Sequence, residues 1–158
     1  MLPGNDHKLV LDSDMLFFGE PTQLLNWLQR PTGLLFMRDT MESYGYSHRL
    51  MQALSKAKTI PERLNVGVAG LASSKICWDQ LEFWTKEMLN QEGSSYLQEQ
   101  ALTAMIASQT DHCFLSEQAY KVLPAINGAE VAEILHHYVA ESKYDYFVKG
   151  WRLIKTGI

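Results

Sequence analysis

The stretch KLVLDSDMLFFGEP, residues 8–21, constrains this chain more than any other. Three aliphatic residues, Leu9 to Leu11, run into Asp12-Ser13-Asp14, and Met15-Leu16-Phe17-Phe18 follow at once. An apolar run without alternation reads as a short buried strand. Alternate residues of a strand face the same side, so both carboxylates reach one point if the strand continues. If the chain turns there instead, they still flank a cation. Two hard oxygen ligands suit Mn²⁺ or Mg²⁺, which then bridges to a phosphate-bearing substrate. Asp and Ser also favour plain turns. The apolar sequence on both sides sets this pair apart from a solvated turn.

The rest of the chain punctuates into alternating strands and helices. EPTQLLNWLQR (20–30) predicts a short helix with Pro21 in its first turn. TGLLFM (32–37) predicts an apolar strand, and DTMESYGYS (39–47) a polar loop that could serve the acceptor side of a site. HRLMQALSKA predicts a helix that stops before Pro61. RLNVGVAGLA (63–72) reads as a strand whose interior glycines mark close approach by a backbone or ligand. Ser73 or Ser74 is then expected to cap a longer helix in which Cys77, Leu81, Trp84 and Met88 recur at helical spacing, with Gly93 at its end. Ser95 and Gln98 resemble a capping box opening YLQEQALTAMIAS. AEILHHYV is read as a strand because the run is short and ends in Tyr and Val. If so, His136 and His137 face opposite sides, and only one can join a given site. The expected architecture is α/β, with the carboxylate pair at the C-terminal end of the first strand, where open α/β sheets bind ligands. No linker or composition shift divides residues 1–158, so one domain is expected.

Composition narrows the function. A net charge of −4 provides no basic footprint for nucleic acid. Two cysteines, Cys77 and Cys113, make no CxxC pair or disulfide framework, which points to free thiols in a reducing compartment. With no apolar signal core and no stretch long enough to span a bilayer, a cytoplasmic placement is expected, with peripheral membrane contact left open. Aromatics at 11% are somewhat rich and suit a core as well as a sugar or nucleotide pocket.

Taken together, LVLDSDMLFF and the helix after it resemble the D-x-D strand of the metal-dependent, nucleotide-sugar glycosyltransferases of the GT-A fold. LNVGVAGL is similar to the Asn-x-Gly strand of that family, with Asn65 and Gly67 in the matching places. YLQEQALTAMI resembles its acidic helix segment, where Glu99 and Gln100 fall, and SEQAYKVLP the strand that follows. HYVAESK (137–143) is similar to the H-x-x-G-x-x-K motif of the glycogenin-like and bacterial galactosyltransferase-like branch. Ala140 stands where that motif has Gly, and Tyr144-Asp145 where Pro-Trp often follows.

The resemblance implies a mixed sheet flanked by helices and a metal site of Asp12, Asp14 and His137, with His136 as the rival ligand. It implies Lys143 on the diphosphate, and Asn65, Gly67 and Gln100 as substrate contacts. Glu99 becomes a base or acceptor contact, although a solvated helix residue reads the same way. The cofactor is Mn²⁺ or Mg²⁺. The donor is a nucleotide sugar, a UDP-sugar first, and the acceptor a hydroxyl of a glycan, lipid or other molecule. The family's nucleotide-binding half ordinarily precedes the D-x-D strand, and here eleven residues do. The expectation is therefore a metal-dependent hexosyltransferase in incomplete GT-A form, or a non-catalytic fragment or interaction module of that fold. It carries an open first-strand edge through which a second copy or a partner chain would pair. A haloacid-dehalogenase-like phosphatase also starts with a strand ending in D-x-D. It ranks lower, because Met15 and Leu16 replace the residues that usually follow and no late acidic cluster is found.

Overall fold

The run Leu34-Leu35-Phe36-Met37 explains the layering. Side chains alternate along a strand, so a continuous apolar run needs cover on both faces. The computed structural model describes residues 7–125 and 131–154. In it Leu34 and Phe36 enter one core with Leu50, Met51, Trp84, Met88 and Met105, while Leu35 and Met37 enter a second with Leu24, Trp27, Val68, Tyr120 and Leu135.

The described residues form a mixed α/β protein with two mixed sheets and five helices. The strands are β1 (His7–Leu11), β2 (Met15–Phe17), β3 (Leu34–Arg38), β4 (Leu64–Ala72), β5 (His112–Phe114), β6 (Tyr120–Val122) and β7 (Leu135–His137). The helices are α1 (Thr22–Gln29), α2 (His48–Ser55), α3 (Trp78–Glu92), α4 (Gln98–Ala107) and α5 (Lys143–Val148). One sheet has the order β1-β4-β3-β5, antiparallel except for the parallel β3–β5 pair. The other has the order β2-β7-β6, with β2–β7 antiparallel and β6–β7 parallel. The single sheet expected from the sequence is thus divided in two. Among the described residues no helix is long and apolar enough to cross a membrane.

Three local expectations are corrected. β1 is not buried: it is the edge of its sheet, and Val10 and Leu11 are 49% and 41% exposed. Its aliphatic run has a neighbouring strand on one side only. Neither Ser73 nor Ser74 caps α3. Ser73–Lys75 form a 3₁₀ turn, and Cys77 stands at the cap of a helix that begins at Trp78. The reciprocal capping box at α4 is absent as well. Ser95 Oγ accepts the Leu97 N–H, and the Gln98 side-chain nitrogen is buried without a partner. The strand reading of Leu135–His137, the loop at 39–47 and the Gly93 helix end all agree with the structure.

The loop 39–47 is held by a buried hydroxyl. Tyr44 Oη donates to the Pro61 carbonyl and accepts the Leu64 N–H at 2.9 Å. Gln100 Nε2 donates to the Ser43 carbonyl at 2.8 Å and fixes the same loop from α4.

Candidate metal centre

Asp12, Asp14 and His137 come together where the chain crosses from one sheet to the other. Asp12 extends the β1–β4 ladder by one bond, its N–H donating to the Gly67 carbonyl at 2.9 Å. Ser13 and Asp14 form a bend rather than a continued strand. The Asp14 carbonyl then accepts the Tyr138 N–H at 2.9 Å, which starts the β2–β7 ladder. The D-x-D segment is therefore pinned at both ends, by Gly67 on β4 and by Tyr138 just beyond β7.

The pin on β4 accounts for Asn65 and Gly67. The β3–β4 register jumps between Phe36↔Ala69 and Met37↔Asn65, so residues 66–68 bulge from the ladder. A bulge leaves a backbone donor unpaired. Here Asn65 Oδ1 accepts the Gly67 N–H at 2.9 Å. Gly67 also has no room for a side chain. A Cβ there would lie 2.2 Å from His137 Cε1 and 2.4 Å from its Nδ1. The close approach marked by glycine in β4 is thus, at Gly67, the imidazole of His137, and at Gly70 it is the Trp27 ring.

His137 is 2% exposed, and neither ring nitrogen has a hydrogen-bond partner. Its Nε2 lies 3.3 Å from Asp12 Oδ2 and 3.3 Å from Asp14 Oδ1. One ligand atom from each of the three residues falls within 4.8 Å of the others. Burial pushes the His137 pKa below its usual value, against the upward pull of Asp14, Asp12 and Asp39. A neutral imidazole with a free lone pair, beside two carboxylates, is a donor set for Mn²⁺ or Mg²⁺. His136 points elsewhere, as the strand alternation requires. Its Nδ1 contacts Tyr138 Oη at 3.1 Å, its Nε2 lies 3.4 Å from Glu133 Oε2, and Phe18 packs edge-on to its ring.

Lys143, the first residue of α5, reaches Asp14 Oδ2 at 3.1 Å, and that contact raises its pKa. Ala140, where the resembling motif has Gly, has φ +46°, a left-handed conformation that glycine adopts without strain. An alanine held in that conformation carries a steric cost of about 1–2 kcal/mol.

These residues form one wall of a cleft of about 800 Å³. Glu99 and Gln100 line it from α4, with Tyr96 and Met41 also on its lining. Glu99 is exposed, and Gln100 is already engaged with the Ser43 carbonyl. Sequence reasoning missed Asp39. It lines the cleft, its Oδ2 accepts Asn65 Nδ2 at 2.8 Å, and its charge acts on His137. The signal was available, because LLFMRD ends an apolar strand in an acid as LVLD does. Five carboxylates, Asp12, Asp14, Asp39, Glu99 and Glu141, line the cleft against one ammonium, Lys143, so its charge is net negative and suits a cation. Comparison with protein-family models, curated proteins and solved structures finds no match.

Proposed function

We propose that this chain is a divalent-metal-dependent glycosyltransferase, or the metal- and acceptor-bearing portion of one, of GT-A type. The observation that carries the reading is the convergence of Asp12, Asp14 and the buried Nε2 of His137 on one point, with Lys143 alongside, at the wall of a cleft large enough for a diphosphate and a sugar.

Bound Mn²⁺ or Mg²⁺ supplies charge neutralisation to the leaving diphosphate. The chain's own residues do the rest. Asp12 and Asp14 would hold the cation through oxygens, and His137 through a ring nitrogen. Lys143 adds a mobile positive charge at the same place and exchanges Asp14 for a phosphate oxygen when the donor enters. Asn65 keeps the Gly67 bulge closed and holds Asp39 at the cleft. Glu99, in the first turn of α4, is available to an acceptor hydroxyl as base or hydrogen-bond acceptor.

Calorimetry of the chain with UDP and with GDP, each with and without Mn²⁺, tests this. Binding that needs the metal and is lost in Asp14→Ala is the expected result. Mn²⁺ binding without any nucleoside diphosphate binding would leave a metal centre and remove the reading of this chain as a donor-binding transferase.

A further inference from the structure

The last described stretch carries apolar surface that the fold does not cover. Tyr144, Phe147 and Trp151, spaced i, i+3 and i+7, are 67%, 72% and 56% exposed. The segment holding them touches the fold through Tyr146 and Gly150. The Tyr146 ring packs edge-on against buried Tyr138, and a Cβ at Gly150 would lie 2.6 Å from Tyr138 Oη. Tyr146 and Gly150 of α5 and the 3₁₀ turn Gly150–Leu153 thus face the fold, and the three aromatics are turned outward. Trp151 Nε1 donates to the Phe147 carbonyl at 3.0 Å, and the Arg152 guanidinium stands 5.3 Å from the centroid of the Trp151 ring.

Charge is segregated along the same boundary. The described residues 143–154 contain Lys143, Lys149 and Arg152 against Asp145 alone, a balance of +2. The rest of the chain then carries −6, since the whole chain carries −4. Lys149 is half exposed and pairs with the half-buried Asp145 at 2.9 Å. Lysine is depleted in the cores of protein–protein interfaces, whereas aromatic rings mixed with Lys and Arg are the chemistry of the membrane–water boundary. Rings of Trp and Tyr settle at headgroup level, and basic side chains find lipid phosphates there.

We propose that this face docks on an anionic lipid surface. Phe147 and Trp151 enter the headgroup boundary, Lys149 and Arg152 engage lipid phosphates, and the acidic remainder of the molecule is held off the same surface. Lys143 heads α5, so docking sets the cleft beside the membrane. The inference stands on the C-terminal face and does not depend on the transferase reading.

Co-sedimentation of the whole chain with vesicles tests it, using pure phosphatidylcholine against mixed phosphatidylcholine and phosphatidylserine. EDTA is present throughout, so no cation at Asp12 and Asp14 can bridge to lipid phosphate. Binding to the mixed vesicles alone, weakened by salt, is expected. Phe147→Ser with Trp151→Ser should reduce the partition on the order of tenfold or more. Arg152→Gln should reduce it about fivefold. These side chains are exposed, and circular dichroism checks that the variants fold. Absence of binding, equal binding to both vesicle types, or binding unchanged in the variants overturns the proposal. So does a concentration-dependent dimer that the same substitutions dissolve without any vesicle binding, since a second copy then covers the face.

Discussion

Substitution of Gly67 by alanine isolates the packing that positions His137. The added Cβ would sit 2.2 Å from His137 Cε1, 2.4 Å from Nδ1 and 2.8 Å from Met15 Cε. The Met15 methyl can swing aside, but the His137 ring is 2% exposed and has β7 behind it. The ring must therefore shift by a large part of an ångström, carrying Nε2 away from Asp12 and Asp14. Overpacking of this kind costs about 1–3 kcal/mol of stability. Misorienting a metal-bound histidine costs about 10–100-fold in affinity. Mn²⁺ titration by calorimetry and urea unfolding of the metal-free protein read the two effects separately. The diagnostic comparison is with His137→Ala, which removes the ring that the new methyl would strike. In that background Gly67→Ala should lose most of its cost in stability, a coupling of roughly 1–2 kcal/mol. If Gly67→Ala binds Mn²⁺ like the parent, or if its cost is unchanged by His137→Ala, the packing argument is wrong.

Four further outcomes follow from the same geometry. Mn²⁺ at about a hundredfold over its dissociation constant should stabilise the fold by about 2.7 kcal/mol, roughly 5–11 °C in melting temperature; EDTA should reverse the shift, and Asp14→Asn should abolish it. Ala140→Gly should raise the unfolding free energy by about 1 kcal/mol, because it relieves a left-handed alanine; a decrease in urea unfolding would show that the conformation carries no strain. Tyr44→Phe leaves the buried Leu64 N–H without its acceptor and should cost about 1–3 kcal/mol by the same measurement. Burial holds both His136 and His137 below the ordinary value of 6.5. The unfolded chain therefore takes up protons first as pH falls through that value, and the metal-free fold should lose up to about 1.4 kcal/mol per histidine per pH unit. An unfolding free energy that stays flat from about pH 7.5 to 5.5 would contradict this.

The candidate ligands were legible, and the reason is local. An apolar run must be buried or paired, so acids at its end mark the place where a strand leaves the core. That signal located Asp12 and Asp14, and it was equally present at Asp39, where it went unread. Strand alternation said that only one of the two histidines could join the site, and the motif resemblance, not the alternation, pointed to His137. Glycine inside β4 announced a close approach without saying what approached. β1 was misread as buried because aliphatic residues in sequence carry no record of how many neighbours a strand will have.

The sequence by itself determined the alternation of strands and helices, the chemistry of the candidate ligands and the absence of a basic footprint, since periodicity, side-chain type and charge are properties of short stretches. Only the tertiary structure decided that Ser13 bends the chain between two sheets, and that a bulge at Gly67 lets the His137 ring stand beside two carboxylates. It also decided that Tyr144, Phe147 and Trp151 face outward. Each of these depends on contacts between residues far apart in the chain, such as Asp12 with Gly67 and Asp14 with Tyr138. Their distances are set by packing, which no local pattern encodes.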